Sequence, residues 1–170
     1  RFNHRYGQIF PEPIAFNFGE VLVKVPSLDG SGKMSKSENQ FATLYLSDDD
    51  ELIRKKVMRA KTDSGPTEKD SKKPEYIENL FLLMKLVGIE DGLKKFEDDY
   101  DNCTIRYGDM KKQLAEDMVR FISPIREKVE SILANEKYLQ EVMEKGAEKA
   151  RKSAAITMGL VREAIGLNYF

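Results

Sequence analysis

The sequence predicts a mostly α-helical protein that begins with a short segment of strands and turns. Apolar residues alternate with other types only before residue 46, in a stretch that also holds two neighbouring prolines and a glycine-rich turn. From residue 46 onward, apolar side chains recur every three or four residues, the spacing of helices that bury one face. The 170 residues suffice for one ordinary domain or two small ones. We therefore expect one domain over residues 1–45 and a helical one over residues 46–170.

Composition excludes several kinds of protein. A lone cysteine, Cys103, rules out a disulfide framework, and together with the single histidine it cannot build a zinc site of the usual kind. No run of about 18 apolar residues is present, so no membrane span is expected. The net charge is −1, and no third of the chain is basic enough for indiscriminate DNA binding. These features predict a cytoplasmic protein with no metal site and no membrane or DNA partner.

The amino end resembles the tail of a helix. Residues Arg1–Asn3 precede Gly7, a residue suited to ending a helix, and no apolar signal-peptide region follows. We expect the chain to be part of a longer protein. Strands are predicted for the alternating runs Ile14–Phe18 and Val21–Val25, and a turn for Asp29–Gly32.

The helical part has recognisable starts and stops. Ser47 is the expected N-cap of the first long helix, with acidic residues in its first turn, where the helix dipole favours them. Its predicted buried stripe comprises Leu52, Ile53, Val57 and Ala60. A polar loop over residues 62–73 should follow, and then a central helix that is apolar nearly all round, between Pro74 and Gly88.

Three further helices are expected. A short one over residues 90–100 would bury Leu93, Phe96 and Tyr100. The next continues an apolar stripe through Pro124, which should kink it. Asn135 can cap a last helix that reaches about Ile165, in which small residues would allow another helix to approach closely: Gly146, Ala147, Ala150 and Ala154.

One segment has the equipment for holding phosphates. Gly30 and Gly32 lead into Lys33 and Lys36, with small hydroxyl residues around them. Ammonium groups, backbone N–H groups and hydroxyls are the donors that polyphosphates need. A P-loop is excluded, because Ser27 occupies its first glycine position and Met34 follows the lysine where Ser or Thr must bind Mg²⁺.

The residues Lys33–Ser37 read Lys-Met-Ser-Lys-Ser, which resembles the signature pentapeptide of the class I aminoacyl-tRNA synthetases. Further segments resemble the bacterial-type tryptophanyl-tRNA synthetases within that class. They are Arg1–Asn3, Arg5–Gly7, Arg59–Ser64, Ile122–Glu127 and Gly146–Ala150. The resemblance covers essentially the whole chain but only the later half of such an enzyme, since the first ATP motif and the amino-acid pocket of the family do not occur. A tyrosyl-type synthetase is the alternative within the class.

The resemblance implies a role for each residue of the loop. Lys33 and Lys36 would bind the pyrophosphate that leaves ATP, which enters with Mg²⁺, and Ser35 and Ser37 would orient the loop. Met34 and the Lys24–Val25 backbone would pack beside the adenine. Gly30 and Gly32 would act as hinges for closure over the substrate. The fold implied is the end of a Rossmann-type catalytic domain followed by an anticodon-binding bundle.

The resemblance also implies partners. These are tRNA(Trp), with tryptophan and ATP as the substrates of a full enzyme that forms a homodimer. Candidates for contacts with tRNA are Arg106, Lys111, Lys149, Arg151 and Lys152. We expect this chain to be inactive alone. A helical tRNA-binding module without catalysis is the second interpretation.

Overall fold

The chain is mostly helical, as predicted. The structure, a computed structural model, describes residues 1–16, 23–37, 39–88 and 90–167. These ranges contain no strand, and an isolated antiparallel bridge pairs Pro26 with Lys33. The helices are α1 (Phe2–Tyr6), α2 (Asp50–Met58), α3 (Glu75–Val87), α4 (Glu90–Asp101), α5 (Tyr107–Leu133) and α6 (Glu136–Ile165). In the described part of the chain, no helix is long and apolar enough to cross a membrane.

The strand predictions are wrong wherever the structure tests them. Residues 14–16 and 23–25 lie outside any strand, and the Ile14 side chain is 89% exposed. A strand needs a neighbour to pair its backbone groups, and alternating apolar residues alone do not supply one. The rest of both predicted strands, residues 17–22, lies outside the described residues.

The helix termini follow local capping chemistry. Gly7 ends α1 and Asn135 caps α6 by accepting a hydrogen bond from the Tyr138 N–H, as predicted. The N-cap of α2 is Asp49, whose carboxylate accepts from the Leu52 N–H at 2.7 Å, and the prediction of Ser47 is wrong by two residues. An aspartate caps as well as a serine does, so composition alone does not choose between them.

The core is built around α3, which the sequence predicted to be central. Ile77, Leu80, Leu83 and Met84 are essentially fully buried, and the last residue of the helix is followed by Gly88, as expected. The predicted stripes of the neighbouring helices meet it. Their buried members are Ile53, Val57 and Ala60 of the α2 segment, Phe96 and Tyr100 of α4, and Leu114, Met118 and Ile122 of α5. Met110 of α5, which was not predicted, is buried with them, whereas the predicted Leu52 and Leu93 are only partly buried.

The apolar stripe of α5 is buried only in its first half. Beyond Ile122, the side chains of Ile125 and Val129 are exposed, and the helix continues past Pro124 to Leu133. The kink at Pro124 stays a prediction. In the small-residue stripe of α6, Ala147 is half-buried, and a Cβ on Gly146 would meet nothing within 4 Å. The close helix approach that this stripe would allow stays a prediction.

The chain divides into two compact units. One comprises Arg1–Leu22 with Glu130–Phe170, and the other comprises Val23–Val129. In the first unit, the Asn3 side chain closes the turn after α1 by hydrogen bonds to both backbone groups of Phe10. The second unit holds the core just described. The domain boundary at residues 45 and 46 stays a prediction.

We predict that Ile77→Ala destabilises the chain by about 2–5 kcal/mol, because it opens a cavity in a fully buried site. Chemical denaturation followed by circular dichroism measures the free energy of unfolding. Ile156→Ala is the matched control, since Ile156 is 70% exposed and its truncation should cost little. Equal losses in the two variants would contradict the assignment of the core.

Candidate phosphate-binding loop

The lysine-rich segment is the outer part of a tight turn. The Ser27 N–H donates to the Gly32 carbonyl and the Met34 N–H donates to the Val25 carbonyl, both at 2.8 Å. Gly30 and Gly32 have φ values of +76° and +129°, which only glycine adopts readily. The turn predicted over Asp29–Gly32 is therefore confirmed.

The carboxylate of Asp29 organises the tip of this turn. Its Oδ1 atom accepts from the Ser31 hydroxyl at 2.6 Å, from the Ser31 N–H at 3.0 Å and from the Ser27 hydroxyl at 2.9 Å. These hydrogen bonds, that of the Ser31 hydroxyl above all, hold the pKa of Asp29 below its ordinary value. The carboxylate is thus kept charged and occupied within the turn, directly before the lysines.

Gly30 is also a packing position. A Cβ at this residue would lie 2.8 Å from the Cβ of Tyr76, at the start of α3. The backbone of the turn therefore touches α3 directly. Gly32, in contrast, has open space around it. The hinge role assigned to the two glycines stays a prediction.

The structure separates the predicted ATP-binding residues onto two sides of the turn. Lys24 and Lys33 line an open pocket of about 320 Å³ with Gly32 and with two residues of α3, Glu75 and Asn79. Sequence reasoning missed Glu75 and Asn79, because nothing in their spacing links them to the loop. Polar groups of both signs face this pocket.

Val25 and Met34 lie on the other side. They line an apolar cavity of about 350 Å³ with residues of α3 and α5, among them Leu83, Phe121 and Ile122. Neighbouring residues of extended backbone point to opposite faces, which explains why each lysine and the apolar residue after it diverge. The apolar side suits a flat ring such as adenine, and the lysine side suits phosphates.

The second half of the pentapeptide is exposed to solvent. Lys36 and Ser37 are exposed, and the hydroxyls of Ser35 and Ser37 lie 3.0 Å apart. Among the described residues, the ammonium groups of Lys33 and Lys36 have no hydrogen-bond or ion-pair partner. Both charges are therefore available to an anion.

The Arg59–Ser64 segment is hydrogen bonded both to the turn and to α3. The Lys61 N–H donates to the Leu28 carbonyl at 3.0 Å, while the Leu28 N–H donates to the Ala42 carbonyl at 2.9 Å. The Asp63 carboxylate accepts from the Tyr76 hydroxyl at 3.1 Å, and the Lys61 ammonium lies 4.7 Å from the Tyr76 ring centroid. This segment connects the turn to α3.

The Ile122–Glu127 segment of α5 is hydrogen bonded to the start of α2. The Ser123 hydroxyl donates to the Asp50 carboxylate at 2.8 Å, and the Arg126 guanidinium donates to the same carboxylate and to the Asp48 carbonyl. The guanidinium hydrogen bond holds the pKa of Asp50 below its ordinary value. The segment therefore fastens α5 to the first turn of α2.

The candidates for tRNA contacts fall into two groups. Arg106, Lys149, Arg151 and Lys152 are exposed. Lys111 is 9% exposed, and its ammonium donates to the Ala60 carbonyl at 2.6 Å and to the Thr62 hydroxyl at 2.9 Å. Burial lowers the pKa of Lys111. Its placement at the tRNA surface was wrong, because its charge is taken up inside the fold.

No cluster of three or more His, Cys, Asp or Glu residues that could hold a metal ion occurs in the part of the chain that the structure describes. Comparison with known families shows which class of protein the chain belongs to. Residues 1–123 match the family model of the tRNA synthetases class I (W and Y). The chain belongs to this family. The pentapeptide in residues 33–37 lies inside the matched region.

Curated relatives agree over nearly the entire chain. The tryptophan–tRNA ligase of Porphyromonas gingivalis is 52% identical over 98% of this chain and 50% of its own length. That of Chlamydia caviae is 38% identical, over 98% of this chain and 48% of its own length. The chain thus spans about half the length of these relatives.

Solved structures agree as well. The tryptophanyl-tRNA synthetase of Campylobacter jejuni, complexed with ADP and tryptophan, is 32% identical with a TM-score of 0.74, covering 98% of this chain and 50% of its own. A tyrosyl-tRNA synthetase of Aeropyrum pernix shares the fold, with a TM-score of 0.51 and 23% identity over 71% of this chain.

We predict that Gly30→Ala destabilises the second unit by about 1–3 kcal/mol, because alanine is strained at φ +76° and its Cβ would collide with that of Tyr76. The free energy of unfolding from urea titration checks this. Gly108→Ala, at a helical site with open space, should leave that value unchanged or raise it by up to about 1 kcal/mol. A Gly30→Ala variant as stable as the parent chain would refute the packing role.

Proposed function

We propose that the chain is the carboxyl-terminal half of a tryptophan–tRNA ligase, with the phosphate loop of its active site and its tRNA-reading helices. One observation carries the proposal. Lys33 and Lys36 are exposed to solvent on a turn whose backbone is held by hydrogen bonds. The chain that carries them is 52% identical, over 98% of its own residues, to a tryptophan–tRNA ligase. Tryptophan is preferred to tyrosine as the amino acid because the curated relatives with that identity are tryptophan ligases.

The reaction of such an enzyme suits the geometry of the loop. The carboxylate of the amino acid attacks the α-phosphorus of ATP, the bond to the bridging oxygen breaks, and pyrophosphate leaves with the electron pair. Negative charge moves onto the leaving group, so that positioning and electrostatic stabilisation provide the catalysis. We assign this stabilisation to Lys33 and Lys36. Mg²⁺ would enter with ATP, bound to its phosphates.

The two sides of the turn would divide the nucleotide between them. The adenine is assigned to the apolar side beside Val25 and Met34, and the phosphates to the side of Lys24 and Lys33. Ser35 and Ser37 would orient the end of the loop by the contact between their hydroxyls. Gly30 and Gly32 would let the tip close once ATP is bound.

We predict that Lys36→Ala in the full-length ligase lowers the rate of ATP–pyrophosphate exchange about 100-fold. The reason is that the leaving pyrophosphate no longer has the Lys36 ammonium beside it to stabilise its negative charge. The measurement is incorporation of labelled pyrophosphate into ATP. Lys55→Ala is the control, since Lys55 is an exposed lysine of α2 that is not part of the pentapeptide. An unchanged exchange rate in Lys36→Ala would remove the assigned role.

The chain by itself should not catalyse exchange, because the amino-acid pocket and the first ATP motif of the family do not occur in it. A full-length homodimer that works in the cytoplasm is part of the same proposal. Exchange by the isolated chain would contradict the assignment of the amino-acid pocket to another segment.

A second activity, tRNA binding by the helices alone, is favoured by the exposed cations of α6. We predict that the double variant Lys149→Glu/Arg151→Glu weakens the binding of tRNA(Trp) to this chain at least tenfold, since two attractive charges become repulsive. Filter binding at a fixed salt concentration measures it. The double variant Lys94→Glu/Lys95→Glu on α4 is the matched control, and equal weakening in both would reveal only a general charge effect.

A further inference from the structure

A buried hydroxyl connects the phosphate loop to the helical core. The Thr43 hydroxyl donates a hydrogen bond to the Ser35 carbonyl at 3.1 Å, at the centre of the pentapeptide. Thr43 is 6% exposed, whereas Lys36, the next residue after Ser35, is exposed. The peptide group that joins Ser35 to Lys36 is therefore held by a residue of the protein interior.

Thr43 is in turn held by a buried ion pair. The Lys56 ammonium donates to the Thr43 carbonyl at 2.9 Å and to the Asp48 carboxylate at 2.6 Å. The side chains of Lys56 and Asp48 are 4% and 7% exposed. The Asp48 carboxylate also accepts from the Tyr45 N–H at 2.9 Å, so the segment of residues 43–48 is closed around the lysine.

The position of Lys56 is unusual for a lysine. It lies on the buried face of α2 beside Val57, and its ammonium is 4.7 Å from the centroid of the Tyr45 ring. Burying a charge is costly unless it is paired and hydrogen bonded, and all the partners just described come from residues 43–48. The partners of Lys56 therefore hold residues 43–48 in one position. The Thr43 hydroxyl is part of that segment and is held with it.

The loop is fixed at its other end too. The Leu28 backbone is hydrogen bonded to Ala42 and Lys61, so residues 29–34, of which 31–33 are exposed, lie between two anchored points. We propose that Thr43, seated by the Lys56–Asp48 pair, is a positioning residue that fixes the Ser35–Lys36 peptide and so aims the Lys36 ammonium. The effect on catalysis rests on the function proposed above, while the effect on the loop does not.

The position of a reacting group matters steeply, since a displacement of about 1 Å can lower a rate 100-fold. Loss of the single Thr43 hydrogen bond should displace the Lys36 ammonium by less than this, so the rate should fall by less than about 100-fold. Thr43→Val keeps the branched shape of the buried side chain and removes only the donor. We expect it to lower kcat of ATP–pyrophosphate exchange about fivefold to tenfold, with the KM for tryptophan unchanged. Thr43→Ser, which keeps the donor, should retain the kcat of the parent protein.

The positioning role has a readout that needs no enzyme activity. In this chain, backbone ¹⁵N relaxation should give lower order parameters at Ser35 and Lys36 in Thr43→Val than in the parent chain. Thr157→Val is the matched control, because its hydroxyl donates to the Ser153 carbonyl in α6 and it should leave the loop unchanged. Unchanged order parameters in Thr43→Val would overturn the proposal.

A second variant tests the ion pair. Lys56→Met/Asp48→Asn removes both charges while retaining similar shapes, which avoids leaving one charge buried alone. We expect the same loosening of Ser35 and Lys36, and no further loosening when Thr43→Val is added, because the two changes break one chain of contacts. Additive effects would overturn the link through Lys56.

The outcomes separate this inference from the proposed function. If the loop loosens but the parent full-length protein shows no exchange, the positioning contact stands and the proposed function fails. If the parent protein exchanges and Thr43→Val changes neither the order parameters nor kcat, the function stands and the inference fails.

Discussion

The burial of the Lys56 ammonium beside the Asp48 carboxylate is the constraint on which the arrangement of the second unit depends. An ammonium without a partner in that interior would be strongly unfavourable, so residues 43–48 must fold back over α2 to provide one. The backbone of Asp48 then accepts from Arg126 of α5. One buried charge thus brings residues 43–48, α2 and α5 together.

Under the proposed function, the Lys33–Ser37 loop has to satisfy two opposing demands. Its cations must face water so that ATP can reach them, yet they must keep fixed positions, because catalysis by electrostatic stabilisation requires it. The structure meets both by exposing Lys33 and Lys36 and by anchoring the backbone on each side, at Leu28 and at Ser35. Core residues therefore hold the backbone of the loop, while the turn leaves the two ammonium groups exposed to solvent.

Much of the fold could be predicted from local patterns. The central helix α3 and the cap of α6 at Asn135 depend on residues within one or two helical turns, and both predictions hold. The misses involve partners distant in sequence. Lys111 was expected at the surface, but its ammonium is buried and donates to the Ala60 carbonyl, 51 residues away. The strand expected at Ile14–Phe18 has no pairing neighbour in its described residues.

By itself the sequence determined the helical class, the turn at Asp29–Gly32 and, through the Lys33–Ser37 signature, the family, because helix periodicity, glycine conformation and a five-residue signature are all local properties. Only the tertiary structure decided that Lys24 and Met34 serve opposite sides of the turn, and that Thr43 holds the Ser35 carbonyl. The physical reason is that a hydrogen bond or a buried ion pair depends on where two segments meet in space.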